Sequence, residues 1–537
     1  MKLRGITAAV LIWSCFPALA QQNGAALYSQ HCAQCHDSGN KDIRAPDRSA
    51  MRSMTFEAVL GTITSGSMAS MVEGRTNDER AAIASFVTGK VAGLPGAPGA
   101  GGGCVENAAG FLQSPDGPRW NGWGADVSNS RFQPAAMAGL IPEQVPRLKL
   151  KWAFGFPGVG GAAGQPTIVG GLVFVGGSDR KVYALDAKSG CTRWAFATDA
   201  AVRTAISVAP FVGAGPPAVY FGDLAANAYA VNATTGAVLW KTRVENHPAG
   251  RITGAPTLHA GVLYVPVSSI EEATGSSATY QCCTFRGSVV ALDGATGKQI
   301  WKSYTIPEAP AATSRNAIGT QLYGPAGAAV FSAPTIDVQR QAIYVGTGNS
   351  YSNPPTETSD AVIAFDLVSG RMLWHRQATA KDSYVVSCFG TDKTNCPENH
   401  GPDHDFAQSP ILVDLHNGQR VLVIGQKSGV VHALDPDQEG RLLWQTRIGK
   451  GGPLGGIMWA PPPTSSACMS PTPTYALSRA AVGASTQMPA EACSRSSLPP
   501  GKSSCTCRRS RAASAVSAAR RSPRRSPQFP VSSFQAG

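Results

Sequence analysis

The sequence predicts two fold classes in series, a small all-α domain followed by an all-β propeller. Three observations predict it. Apolar residues recur at helical spacing through roughly the first ninety positions. The stretch "GLPGAPGAGGG" then offers no side chain to pack. Beyond it a short unit ending in tryptophan repeats five times, the signature of a stacked β architecture.

Taken in order, residues 1–20 read "MKLRGITAAVLIWSCFPALA". Lys2 and Arg4 precede an apolar run that ends in Ala18-Leu19-Ala20, which is the pattern of a secretory signal peptide, too short to span a bilayer. The expected compartment is the periplasm or the exterior, where disulfides persist. Residues 21–91 form the helical domain. "TFEAVLGTITSG" and "TNDERAAIASFVTG" carry helical spacing, and Asn77, Asp78 and Glu79 mark the start of the second helix.

"HCAQCH" places Cys32, Cys35 and His36 in the C-x-x-C-H spacing of covalent haem attachment. Two thiols meet two vinyl groups, and the adjacent histidine ligates the iron. Met68 is the expected opposite ligand, with Met71 the alternative; Met51 and Met54 are assigned to packing and His31 to the surface.

Residues 92–103 are the linker and 104–459 the propeller. Its repeat reads Ala-x-Asp or Asn, glycine four residues on, and tryptophan four beyond that. The copies end at Trp194, Trp240, Trp301, Trp374 and Trp444, the last with one extra residue, and Trp152 closes a partial copy. The Asp and Gly supply a turn, and each Trp is expected to dock one blade on the next. Residues 460–537 lose the repeat and are rich in Ser, Pro, Ala and Arg. We read them as disordered and as the product of a frameshift.

This tail corrects a misleading charge. The chain carries +12, of which the tail supplies nine and the signal two. The remainder is close to neutral, so a nucleic-acid partner is not expected. Of 13 cysteines, setting aside the signal, the haem pair and the tail leaves six. An even number suits three bridges, proposed as Cys104–Cys191, Cys282–Cys283 and Cys388–Cys396.

An N-terminal haem domain, "RWNGWGADVSNSRFQP", the tryptophan repeat and the segments "QCCTFRGSVVALD", "GPDHDFAQSPILV" and "GQKSGVVHALD" resemble the quinohaemoprotein alcohol dehydrogenases that use pyrroloquinoline quinone (PQQ), and within them the branch acting on polyvinyl alcohol. The resemblance implies a PQQ-type propeller of eight blades, incomplete here. It implies PQQ contacts from Arg203, Thr253, Ser268, Phe331 and Lys427, with Cys282 and Cys283 as a wall. It implies calcium held by Glu271, Asn349 and Asp405, with Asp405 the catalytic base, Asp403 its reserve, and Lys427 polarising the quinone. Phe331 stands where the family usually has tryptophan, and the cysteine pair lies one blade later than usual. These residues also make sense unaided: they come from different blades yet converge on one face, and carboxylate and amide oxygens suit a hard cation.

The expected activity is oxidation of a secondary alcohol, polymeric or small since either size fits the motifs, with electrons leaving through haem c to an external acceptor such as a soluble cytochrome c or a quinone. Two other classes compete: a degenerate electron-transfer protein, and a non-catalytic propeller used for binding or assembly.

Overall fold

The structure, a computed structural model, describes residues 16–38, 45–89 except 53, 55, 65 and 67, then 104, 118–157, 159, 163–208, 216–415, 418–458, 463–464 and 467–468. Most of the expected signal, the whole linker and nearly all of the tail lie outside the described residues. At the start of the tail, Pro463–Thr464 pairs with Ala467–Cys468.

The helical domain contains α1 (Phe16–His31), α2 (Ala33–His36), α3 (Arg48–Arg52), α4 (Phe56–Thr64) and α5 (Asn77–Thr88). Helix α1 begins before the expected cleavage point, with Pro17 in its first turn, where the missing N–H breaks no helical hydrogen bond. Leu27 and Tyr28 of α1, Val59 and Ile63 of α4 and Ile83 and Val87 of α5 close one core. The cap of α5 falls one residue before the expected start. Thr76 accepts from the Glu79 N–H at 3.2 Å, and the Glu79 carboxylate accepts from the Thr76 N–H at 2.7 Å, a capping box.

After the short helix α6 (Ala135–Ala138) come five four-stranded antiparallel blades. The first is β1–β4 (Thr167–Val169, Leu172–Gly176, Lys181–Asp186, Thr192–Ala197), the second β5–β8 (Ser207–Val208, Ala218–Gly222, Asn227–Asn232, Val238–Arg243). The third adds an extra piece, β9 (Gly250–Arg251), to β10–β13 (Thr257–His259, Val262–Ser269, Ser288–Asp293, Gln299–Tyr304), and holds α7 (Glu271–Thr274) between β11 and β12. A hairpin, β14–β15 (Ala311–Arg315, Gln321–Gly324), precedes the fourth blade, β16–β19 (Thr335–Asp337, Ala342–Gly346, Ala361–Asp366, Met372–Gln377). The fifth is β20–β23 (Ile411–Asp414, Arg420–Gly425, Val430–Asp435, Arg441–Arg447).

Each letter of the repeat has a contact. The Ala of the motif lies directly across the strand pair from the Trp, as in Ala184 with Trp194 and Ala364 with Trp374, and the register shifts just after it. A methyl group there leaves room for the indole. The Asp caps the turn: Asp366 accepts from the N–H groups of Val368 and Ser369. The Gly has positive φ and faces the Trp of the preceding blade. A Cβ at Gly236, Gly297, Gly370 or Gly440 would lie 2.5–3.0 Å from the indoles of Trp194, Trp240, Trp301 and Trp374. The indole N–H then donates to the neighbouring turn, Trp194 to the Ala233 carbonyl and Trp240 to that of Gly294. Trp152 does the same to Gly190 and Ala187 although no strand is formed around it.

The segment 119–134 ties the innermost strands together. Asn121 exchanges bonds with Val208, Asn129 donates to Pro334 and Thr335, and the Val127 and Ser128 carbonyls accept from Ile336 and Leu412. Trp123 packs among Ala205, Ala255 and Ala333, small residues at the start of three blades. All three expected disulfides are formed.

Candidate functional site

In an antiparallel blade the connection into the first strand and the connection after the second strand lie at the same end. Arg203, Thr253, Phe331, Asp403 and Asp405 occupy the first kind of connection. Glu271, Glu272, Asn349 and Lys427 occupy the second, and Ser268 closes the strand leading into it. One face of the disc therefore collects them.

Lys427 is the centre of the charge network. Its Nζ is 2.5 Å from Asp405 Oδ2 and 2.8 Å from Asp403 Oδ1, and all three residues are buried. Burial alone would lower the Lys427 pKa, but the carboxylates of Asp405, Asp403 and Glu272 hold it well above the usual lysine range. Asp403 is pushed well above the carboxylate range, first by burial and then by Asp405. Behind them Asp382 accepts from the N–H groups of Asp403 and His404, which fixes the loop. Asp360, buried nearby, has no hydrogen-bond partner on either carboxylate oxygen among the described residues, and its pKa is raised strongly by burial.

Asn349 is held so that its amide oxygen is free to act. The Asn349 Nδ2 donates to the carbonyls of Ser350 at 2.7 Å and Tyr384 at 2.8 Å, which assigns the amide orientation. The Asn349 N–H donates to Asp405 Oδ1 at 2.8 Å, so both residues are locked together. Between them Gly348 opens a cradle: a Cβ there would meet Asp405 Oδ1 and Phe331 Cε1, each at 2.9 Å. Phe331, half-buried, and Asp405 thus both border Gly348. Thr253 and Ser268 share a hydroxyl–hydroxyl bond of 2.7 Å. Arg203 is exposed, and none of the hydrogen bonds or ion pairs among the described residues involves it.

The two glutamates of α7 differ in their surroundings. Glu271 is fully buried and committed to structure: Oε1 accepts from Tyr280 OH and the Thr284 N–H, and Oε2 from the Phe285 N–H. Glu272 is half-buried and feels the charges of Asp405 and Lys427. Its pKa is pushed up to about 7 by burial and then by Asp405. Consecutive residues on a helix point about 100° apart, so on α7 only one of the two can face the cluster. "SSIEEA" contains both candidates, and spacing from Ser268 could not choose between them. Asp382 and Asp360 were also missed, since a lone aspartate in a loop carries no distinguishing signal.

Cys282 and Cys283 are bonded and buried in a cluster with Phe285, Tyr351 and Tyr384. Their sulfurs lie against Gly275, the C-cap of α7: a Cβ there would be 2.8 and 3.1 Å from the two Sγ atoms. The Cys283 N–H donates to the Tyr323 carbonyl and the Tyr323 N–H to that of Cys282, tying the pair to β15.

At the other centre Cys32 and Cys35 are free thiols. Burial raises both pKa values, that of Cys32 to about 11. His36 Nδ1 lies 2.8 Å from the Pro46 carbonyl, a partner that leaves Nε2 for iron. Met68, 37% exposed, stands just before the 3-10 turn Ala69–Val72, whereas Met71 is half-buried. His31 is also half-buried, not a surface residue, and burial lowers its pKa. The donor sets of both centres fit their groups. Two thiols and an oriented imidazole suit a covalent haem, and an unpartnered guanidinium, an aromatic ring and convergent oxygens suit a flat anionic quinone with a hard cation. Among the described residues no helix is long and apolar enough to cross a membrane.

Comparison with known proteins agrees. Residues 120–448 match the β-propeller domain of glucose, ethanol and alcohol dehydrogenases of the PQQ type, and residues 19–87 match subunit III of cbb3-type cytochrome c oxidase. A polyvinylalcohol dehydrogenase of Pseudomonas sp. is 41% identical over 81% of this chain and 69% of its own length. One from Sphingopyxis sp. (strain 113P3) is 38% identical over 81% of this chain and 68% of its own. The solved quinohemoprotein alcohol dehydrogenase from Comamonas testosteroni aligns with a TM-score of 0.45 at 20% identity, over 62% of this chain and 49% of that one. A PQQ-type propeller joined to a cytochrome domain takes PQQ and haem c as cofactors. The chain belongs to the family of PQQ-dependent alcohol dehydrogenases, oxidoreductases whose members include the polyvinylalcohol dehydrogenases.

Proposed function

We propose that the protein is an exported, calcium-dependent dehydrogenase of secondary alcohols. In this reading residues 21–91 carry the haem and 104–459 carry the quinone. The observation that carries the reading is the buried junction of Asn349, Asp405 and Lys427 on one face of the disc, with half-buried Glu272 feeling its charges. Three oxygen donors there, from Asn349, Asp405 and Glu272, suit calcium. The unpartnered Arg203 suits an anionic ligand, the Phe331 ring offers a flat face, and the Thr253–Ser268 pair offers hydroxyl donors. PQQ bound there supplies the carbonyl carbon that accepts hydride.

The protein's own part is to place and discharge the alcohol. An Asp405 carboxylate oxygen takes the hydroxyl proton as the hydride leaves. Lys427 Nζ, held protonated by its carboxylate neighbours, keeps positive charge beside the reacting oxygen. Asp403, with its strongly raised pKa, is the group on which the proton can next rest. Cys32, Cys35, His36 and Met68 would hold a haem that would supply one-electron transfer, with a soluble cytochrome c or a quinone outside the chain as acceptor. The names of the 41% and 38% identical relatives support a polymeric secondary alcohol as one substrate. The signal pattern at residues 1–20 supports a periplasmic or secreted location.

The test is to express the chain with haem maturation, add PQQ and calcium, and follow haem absorbance after adding polyvinyl alcohol, 2-propanol or ethanol. The reading expects reduction that needs PQQ, calcium and a secondary alcohol. A haem spectrum with no alcohol-dependent reduction would leave an electron-transfer protein without dehydrogenase activity.

A further inference from the structure

A polar group buried without a partner forfeits the bonds it made in water, so native proteins leave few of them. Among the tyrosines buried in the described residues the rule holds with one exception. Tyr220 donates to the Gly294 carbonyl and Tyr344 to Asp337 Oδ2, Tyr351 bonds Ser269, and the others are paired as well. Tyr384, 4% exposed, has no partner for its hydroxyl among the described residues.

The rest of Tyr384 is fixed. It lies in the long connection between the fourth and fifth blades, which also carries Asp403 and Asp405 and is tied to itself by Cys388–Cys396. Its N–H donates to the Ser350 carbonyl and its own carbonyl accepts from Asn349 Nδ2, both at 2.8 Å. Its ring meets Phe389 edge-on, with centroids 5.5 Å apart, and packs in the cluster that holds Cys282, Cys283 and Phe285. Only the tip is uncommitted. The charges that act on it are those of the pocket, Asp403 most, then Glu272, Lys427 and Asp382. A hydroxyl held this stiffly, on the same backbone that orients Asn349, is preorganised for a ligand.

We propose that Tyr384 determines specificity: its hydroxyl binds a second hydroxyl of the substrate, and the pocket therefore favours diols, such as a chain with hydroxyls on alternate carbons, over alcohols with one. The proposal rests on the dehydrogenase reading for the reacting hydroxyl. That hydroxyl is already served, since its proton goes to Asp405 and Lys427 lies beside its oxygen. Tyr384 is left for another group of the same substrate. A tyrosine hydroxyl both donates and accepts, as an alcohol does, so the two can pair in either sense. A site that bonds a hydroxyl also rejects the analogue lacking it, because its own polar group then stays buried and unpaired.

The experiment compares 2,4-pentanediol with 2-pentanol in the full chain, loaded with haem, PQQ and calcium. The parent is expected to show the higher kcat/KM for the diol. Tyr384→Phe deletes one oxygen and keeps the ring, and is expected to lower the diol-to-monool ratio about three- to tenfold, the worth of one hydrogen bond. Two readouts do not depend on turnover. Calorimetric titration of protein whose quinone has been reduced is expected to show diol affinity falling by the same factor relative to 2-pentanol. Without substrate, the thermal midpoint of Tyr384→Phe is expected to match or exceed that of the parent, since the deleted hydroxyl has no partner to lose. Tyr280→Phe, which loses its bond to Glu271 Oε1 at 3.0 Å, is expected to fall. A parent with no preference for the diol, an unchanged ratio, an equal loss for both alcohols, or a lowered midpoint in Tyr384→Phe overturns the proposal. If the parent oxidises neither alcohol, the dehydrogenase reading fails. Diol binding that still weakens in Tyr384→Phe then leaves the hydroxyl site standing, and binding that does not weaken removes it too.

Discussion

Replacing Lys427 by methionine removes the one cation lying between two buried carboxylates. Its Nζ is 2.5 Å from Asp405 and 2.8 Å from Asp403, and the three residues are 8%, 3% and 3% exposed. Breaking a buried pair by deleting one partner costs about 3–5 kcal/mol, because the remaining charge has no compensation. The carboxylates can escape that cost by taking up protons, so the cost must depend on pH. A carboxyl whose folded pKa is raised holds its proton in the folded state after the unfolded chain has released it. Stability is then lost as pH rises from the ordinary carboxylate range towards the raised value. Asp403 is already shifted upward in the parent, and Lys427→Met shifts it further.

The assay is urea unfolding of metal-free protein, followed by tryptophan fluorescence at pH 4 and pH 8. The loss relative to the parent should be under about 1 kcal/mol at pH 4, where Asp403 with its raised pKa keeps its proton, and about 3–5 kcal/mol at pH 8. Added calcium should recover part of the loss at pH 8, since a cation again sits among the oxygens. An equal, small loss at both pH values with no response to calcium would refute the buried charge network.

Glu272, with a pKa near 7, should make metal-free protein less stable as pH rises from about 4.5 to 7, the range between its ordinary and its raised value. Thermal midpoints across that range should show the slope in the parent, and Glu272→Gln or added calcium should flatten it. Gly370→Ala combines a left-handed φ of 73° with a Cβ 2.6 Å from the Trp301 indole. It should cost the ~1–2 kcal/mol of the backbone term plus ~1–3 kcal/mol of overpacking, whereas Gly418→Ala, with φ 80° and open space, should cost only the first; urea midpoints compare them. Arg203→Ala should leave stability within about 0.5 kcal/mol. It should weaken PQQ binding by about tenfold or more, as loss of a charge-assisted hydrogen bond does, measured by fluorescence quenching.

The propeller was legible because every letter of its repeat answers to one contact. Ala faces the indole, Asp caps the turn, Gly admits the neighbouring indole, and Trp fills the gap. Trp152 shows why strand patterning alone was less informative: its plug works without a regular strand. The haem motif was legible from spacing because thiols and imidazole share one helical turn. The pocket was legible down to the loop but not always to the side chain. Glu271 and Glu272 differ only in their rotation about α7, and that rotation depends on Tyr280, Thr284 and Phe285, which claim the first carboxylate. Helix α5 starts at Asn77 as the sequence predicts, and its cap lies at Thr76, where the Glu79 side chain returns to the Thr76 N–H. The Cys282–Cys283 pair was expected as a wall facing the quinone. Its packing against Gly275 and its bonds to Tyr323 make it first of all a brace under α7, and no linear pattern encodes that contact.

The central claim is that these blades hold PQQ through one calcium at Asn349, Asp405 and Glu272. Equilibrium dialysis of the haem-loaded chain against PQQ, with calcium present or chelated, tests it most directly. The account predicts one PQQ and one calcium per chain, PQQ uptake that falls when calcium is removed, and loss of both in Glu272→Gln but not in Glu271→Gln protein that remains folded. Failure to bind PQQ, or calcium-dependent binding that survives Glu272→Gln, would contradict it.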